Sequence, residues 1–249
     1  MGIDLAEKEY QTRYKTAAPL ENILRGQLEW IAQVRGRSFS AYRTLTKRFN
    51  QQFPGSALPI LPTYTEIAEC AVWVIDFFID KICEQGTAFF LEGVGLVTAD
   101  HVLEKLPPSA HAVLYRPSKP TKKFKATPSS RRCAHRDLAI LDHDVPAGDH
   151  LNLPVATSPE HTNDEIIALG FPDYGPGDQL SKRRGHIIGS ATKHGVKLIE
   201  VSAILPGGIS GGPIVNDRYQ VIAIAHRGGT QEHKQLAVEV SELLKLAEE

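Results

Sequence analysis

Two textures divide the chain. Residues 20–36, LENILRGQLEWIAQVRG, set Leu20, Ile23, Leu24, Leu28, Ile31 and Val34 at three- and four-residue steps, the spacing of an amphipathic helix, with Gly36 as its stop. Residues 38–53 repeat the pattern through Tyr42, Leu45, Phe49 and Phe53, and Ser38 or Ser40 is placed to cap it. Pro54, Pro59 and Pro62 then end helical spacing and predict an extended linker. Beyond residue 65, short apolar runs alternate with turn residues: CAVWVIDFF, TAFFLE, GLVTA, HAVLYR, DLAILD, EIIALGF, GHIIGS, KLIEVSAIL, GPIVN and YQVIAIA. Such evenly spaced, partly β-branched runs predict an all-β sandwich or barrel. The closing EVSELLKLAEE returns to helical spacing through Val240, Leu243, Leu244 and Ala247.

Composition changes this picture little; charge distribution changes it more. The chain has 249 residues, 42% hydrophobic and 23% charged, which is ordinary globular material. A net charge of −1 argues against a protein that coats nucleic acid or an anionic membrane with its whole surface. Residues 1–55 nevertheless carry a net of +4 against −5 for the remainder. Cys70, Cys83 and Cys133 are odd in number and lack CxxC or Cys/His metal spacing. They are expected to be idle thiols in a reducing compartment, with no structural metal and no cofactor implied. The N-terminal residues are polar, without the apolar run of a secretory signal, and no stretch of about 18 apolar residues exists to span a membrane. A cytoplasmic location is expected.

Three stretches carry candidate chemistry. Residues 205–215, LPGGISGGPIV, surround Ser210 with four glycines and two prolines. Glycine costs folding entropy, so such a loop suggests backbone N–H groups brought close to a bound group, or a side chain held on a sharp turn. It also fits a plain glycine-rich hairpin. In GLVTADHVLEKL, residues 95–106, an apolar strand ends at a polar turn holding His101. In HRDLAILDHD, residues 135–144, Asp137 heads an apolar strand, whereas Asp142 and Asp144 lie past it. His135 and His143 flank this motif and read as surface residues. A serine hydroxyl needs a base within hydrogen-bond reach, and imidazole suits that task. The imidazole needs a buried carboxylate to fix its tautomer, for which Asp137 is the candidate. The resulting oxyanion needs preset N–H donors, which Gly208 and Ser210 could give.

His101, Asp137 and Ser210, in the settings TADHV, DLAIL and GGISGGP, with IIALGFP (166–172) between the last two, resemble the chymotrypsin-like (trypsin-like) serine peptidases. The likeness is greatest to their compact cytoplasmic and bacterial branch and covers roughly residues 65–248. It implies a pair of six-stranded β-barrels with the site in the cleft between them, a C-terminal helix, and a serine endopeptidase acting on protein or peptide substrates. Ser210 is then nucleophile, His101 general base and acid, Asp137 the orienting carboxylate, and the Gly208 and Ser210 amides the oxyanion hole. Two positions depart from the family. Ile209 stands where secreted members place an acid that captures a freed N-terminus, so activation by N-terminal trimming is not expected. Asp100 replaces the usual small residue before the histidine and is expected to be a solvated loop charge, or else to perturb His101. Ile204, Ala223, Ala225 and His226 are expected to wall the substrate pocket. No acid lies at its base, which disfavours Lys or Arg; the pocket suits small apolar side chains, or Glu and Gln with His226 as partner.

The segment LRGQLEWIAQVRGRSFSAYRTLTKRFNQQF resembles the thumb region after the palm of retron-type and group II intron-like reverse transcriptases. The likeness covers about residues 20–53, and a polymerase YxDD is absent. It implies a reverse transcriptase and its template–primer nucleic acid as partners, and a peptidase serving as effector of a bacterial anti-phage defence system. The expected organisation is a basic helical segment at 1–55, a Pro-rich linker at 56–64 and a peptidase domain at 65–249. The alternative is a catalytically inactive barrel that docks peptides or nucleoprotein.

Overall fold

The computed structural model of the protein describes residues 20–34, 40–58, 60, 62–158, 160–226 and 234–249. The chain forms two compact units, Met1–Thr65 and Glu66–Glu249.

In the first unit the two expected helices are α1 (Leu20–Val34) and α2 (Ser40–Gln52). Their apolar stripes meet: Leu24, Leu28, Tyr42 and Phe49 are buried together, with Leu20, Leu45, Phe53 and Leu58 packed against them. The expected stop at Gly36 and cap at Ser38 lie outside the described residues. The chain after α2 is pinned rather than simply extended. Asn50 Nδ2 donates to Leu58 O (2.8 Å), the Leu58 N–H donates to Asn50 Oδ1 (2.7 Å), and a 3-10 turn spans Pro54–Ser56.

A short helix, α3 (Tyr64–Ala71), which the apolar pattern did not predict, leads into the second unit. Six strands follow: β1 (Val72–Ile79), β2 (Ile82–Leu91), β3 (Gly95–Thr98), β4 (Ala112–Arg116), β5 (Lys119–Cys133) and β6 (Leu138–His143). They close a barrel in the order β1-β2-β3-β6-β5-β4, every pair antiparallel. A second six form β7 (Glu165–Gly170), β8 (Ser181–Lys193), β9 (Val196–Val201), β10 (Pro213–Val215), β11 (Val221–Ala225) and β12 (Leu236–Glu239). These close as β10-β11-β12-β9-β8-β7, and α4 (Val240–Glu248) follows. The fold is thus mainly β, a chymotrypsin-like double barrel with a C-terminal helix. Closure leaves neither sheet an open edge.

Each barrel has its own core. Trp73, Ile75, Phe90, Leu96, Leu103 and Leu114 fill the first; Ile166, Ile187, Ile199, Ile209, Ile214 and Ile222 help fill the second. Register then sets up chemistry. β3 pairs β6 with Thr98 opposite Ala139, so the chain leaving β3 and the chain entering β6 emerge side by side at one rim.

Candidate active site

His101 lies in a single 3-10 turn, Asp100–Leu103, three residues beyond Thr98. Asp137 lies two residues before Ala139, where its N–H closes a turn on Ala134 O (3.2 Å) and its own φ is +54°. The β3–β6 register therefore brings the two together. His101 meets Asp137 at two points: its backbone N–H donates to Oδ1 (2.8 Å) and its ring Nδ1 lies 2.7 Å from Oδ2. A second ring, that of His226, also places its Nδ1 on Asp137 Oδ2. The two imidazoles stand edge to face with centroids 6.1 Å apart.

Asp137 is 7% exposed. Burial pushes its carboxyl pKa up, but hydrogen bonds from the His101 and His226 rings outweigh that and hold it well below the usual carboxylate range. An ionised carboxylate can only accept, so both rings carry their proton on Nδ1. His101 Nε2 is left as an acceptor, the tautomer a general base needs. Among the described residues these three side chains form the only cluster with metal-ligand spacing, and both of its Nδ1 atoms are engaged by the carboxylate.

Ser210 sits on two successive turns. The Ile209 N–H bonds Pro206 O (3.2 Å) and the Gly212 N–H bonds Ile209 O (2.8 Å); the third residues of these turns, Gly208 and Gly211, have φ of +85° and +80°. Both positions need glycine twice over. A Cβ on Gly208 would lie 2.4 Å from Phe171 O, and one on Gly211 would lie 2.4 Å from Thr87 O and 2.7 Å from Ala99 N. Gly211 thereby rests against the backbone that leads into His101. The Gly207 carbonyl accepts from the Asp173 N–H (3.2 Å). A trans peptide sends its N–H the opposite way, so the Gly208 N–H faces away from Asp173. Neither this N–H nor that of Ser210 has a backbone partner among the described residues. No hydrogen bond joins Ser210 Oγ to His101 among them either; such contacts often tighten only when substrate is bound.

Sequence reasoning passed over Thr87, a fully buried residue of β2. Its hydroxyl donates to Gly208 O (2.7 Å) and accepts from the Phe171 N–H (3.0 Å), its N–H donates to Ser210 O (2.9 Å), and its carbonyl accepts from Thr98 Oγ1 (2.8 Å). A first-barrel residue thus holds the second barrel's serine loop. A threonine in an apolar strand carries no signal of this; only the partners reveal it.

Other expectations are corrected. Asp100 is no solvated charge: it is 6% exposed and paired with Arg132, whose Nη2 also reaches Asp100 O at 3.4 Å. The residues expected to wall the substrate pocket differ in their settings. Ile204 is 64% exposed. Ala223 and Ala225 fill the interior of the second barrel, and Ala225 pairs its backbone with Gly211 and Gly212. The His226 ring is turned onto Asp137 through its Nδ1. Ile209 is buried in the second core and anchors the serine loop there. Of the rival acids, Asp142 is exposed and Asp144 caps the Lys125 N–H (2.7 Å); neither contacts His101.

Comparisons with known proteins agree with this fold. The family model for the trypsin-like peptidase domain matches residues 86–224. No curated protein matches the chain. Among solved structures, the active form of the Rv3671c protease from M. tuberculosis superposes with a TM-score of 0.62 at 20% identity, covering 77% of this chain and 90% of that one. A serine endoprotease from Yersinia pestis gives 0.60 at 18% identity, covering 77% and 69%. An HtrA-type protease solved with a tripeptide gives 0.61 at 19%, covering 73% and 60%.

Proposed function

Because the chain belongs to the trypsin-like peptidase domain family and is a serine-type endopeptidase, we propose that Ser210, His101 and Asp137 are its catalytic triad. The observation that carries this assignment is the two-point bond between His101 and a buried, ionised Asp137, on the rim against which the Ser210 loop rests. In the forward step His101 Nε2 takes the Ser210 hydroxyl proton as Oγ bonds the scissile carbonyl carbon. Negative charge gathers on the carbonyl oxygen, where the Gly208 and Ser210 N–H groups stabilise it; one such donor is worth roughly 10²- to 10³-fold in rate. His101 then gives its proton to the departing amine nitrogen as the C–N bond breaks. His101 next takes a proton from water as the water oxygen bonds the acyl carbon, and it gives that proton to Ser210 Oγ as the C–Oγ bond breaks and the acid product leaves. Asp137 stays ionised throughout and holds the imidazole in register.

We further propose the finer assignment that residues 1–55 form a basic helical segment, joined through a linker at 56–64 to the peptidase domain at 65–249. The same assignment couples the peptidase to a reverse transcriptase and its template–primer in a cytoplasmic anti-phage effector. The thumb-like pattern over 20–53, the α1–α2 pair and the +4 charge favour this, since positive charge suits sequence-independent backbone contact. The test is one assay: the purified full chain is incubated with a mixed peptide library, with and without an RNA–DNA template–primer duplex, and cut sites are read by mass spectrometry. Internal cleavage that disappears in Ser210→Ala and His101→Ala is expected, with a rate that changes when duplex is added. An uncut library would favour the docking-barrel alternative; a duplex-independent rate would remove the nucleic-acid coupling.

A further inference from the structure

His101 and Asp137 both belong to the first barrel, whereas Ser210 belongs to the second. A triad split in this way works only if the two halves are held in fixed relation, because small misplacements cost large factors in rate. His226 is where the second barrel reaches the carboxylate. It directly follows Ala225, whose carbonyl accepts from the Gly211 N–H (2.9 Å) and whose N–H donates to Gly212 O (2.8 Å). Its own N–H donates to Leu236 O (3.2 Å) at the start of β12. The backbone of His226 is therefore tied to the serine loop and to the second sheet, while its ring bonds Asp137 across the boundary between the barrels.

We propose that His226 is a positioning residue of the reaction, a strut that donates its Nδ1–H to Asp137 Oδ2 and so locks the His101–Asp137 pair to the loop that carries Ser210. The inference rests on the triad assignment above. His226 needs to touch neither substrate nor the reacting atoms. Three donors converge on Asp137: the His101 N–H on Oδ1, and the His101 and His226 rings on Oδ2. Only the last comes from the second barrel. Without it Asp137 keeps a partner and His101 keeps its tautomer, but the carboxylate can rotate and the two half-sites lose a shared anchor. The effect should fall on turnover and not on substrate affinity.

The test compares wild type with His226→Ala, His226→Phe, which keeps bulk without a donor, and His226→Asn, which keeps a short donor. Two readouts are taken on folded, full-length protein. One is kcat and KM on a peptide cleaved by wild type. The other is the set of low-field imidazole N–H resonances, which needs no turnover. Expected is a kcat at least about tenfold lower in His226→Ala and His226→Phe, the equivalent of one hydrogen bond to a charged group, with KM within about twofold. The His101 Nδ1–H resonance shifts in both, and His226→Asn recovers part of each effect. An unchanged kcat together with an unmoved His101 resonance would overturn the proposal, as would a loss confined to KM. Should wild type cleave nothing, the triad assignment fails; a His101 resonance that still responds to His226→Phe upholds the strut, and one that does not respond rejects it. If His226→Ala does not fold, the Phe and Asn variants decide.

Discussion

Asp137 is the residue on which the site turns. Its side chain is buried, yet two rings and a backbone N–H outweigh the cost of burying its charge. A carboxyl held below its ordinary value stabilises the fold above that value and ceases to do so as pH falls through the folded pKa. Wild type and Asp137→Asn, unfolded in urea between pH 3 and 7, should differ most above about pH 5, and the gap should begin to narrow below about pH 4 and go on narrowing toward pH 3. A gap independent of pH would mean that the charge on Asp137 contributes nothing. The neighbouring Asp100 is a second buried acid, and Arg132 from β5 satisfies it. That pair ties the His101 turn to the strand that leads toward Asp137. The sequence showed Asp100 as unusual but not its partner, which lies 32 residues away. His226 was hidden for the same reason: nothing local tells which of ten histidines reaches Asp137 from 89 residues off.

At the scale of elements, the serine loop is shaped by backbone and not by side chains. Gly208 is required both by its φ of +85° and by Phe171 O, 2.4 Å from where a Cβ would be. Gly208→Ala should therefore turn the Gly207–Gly208 peptide and remove one N–H from the proposed oxyanion site. Reaction with a fluorophosphonate should slow by roughly 10²- to 10³-fold while the thermal unfolding profile stays cooperative. An unaffected reaction rate would show that this N–H takes no part. Among strands, legibility followed burial. VWVIDF, AFFL and VIAIA are mostly apolar because they are buried, and each lies in a strand. β5, Lys119–Cys133, was missed because its mostly exposed run of Lys, Arg, Ser and Pro shows no alternation; Phe124 and Ala126 alone turn to the core. β12 is four residues long and leads directly into α4, so its pattern merges with the helix. At α3, Cys70 and Ala71 end a helix and do not begin the strand that follows.

At the scale of the whole molecule, the proposed triad requires the two closed barrels to meet correctly. Each has its own core, and hydrogen bonds at the site tie the two together. Thr87, from the first barrel, bonds the serine loop of the second; His226, from the second, bonds the carboxylate of the first. The order His, Asp, Ser and the apolar run beside each motif made the fold legible and pointed to the proposed triad. The cross-barrel bonds were not legible, because they join residues that share no local pattern. The substrate pocket was less legible, because order along the chain does not tell that Ile204 faces solvent while Ala223 and Ala225 lie in the interior of the second barrel. The most direct test of serine catalysis at this site is fluorophosphonate treatment of the full-length protein, with the adduct located by peptide mass spectrometry. A single adduct on Ser210, absent from Ser210→Ala and strongly reduced in His101→Ala, is the expected result. An adduct on another residue, or none on folded wild-type protein, would contradict it.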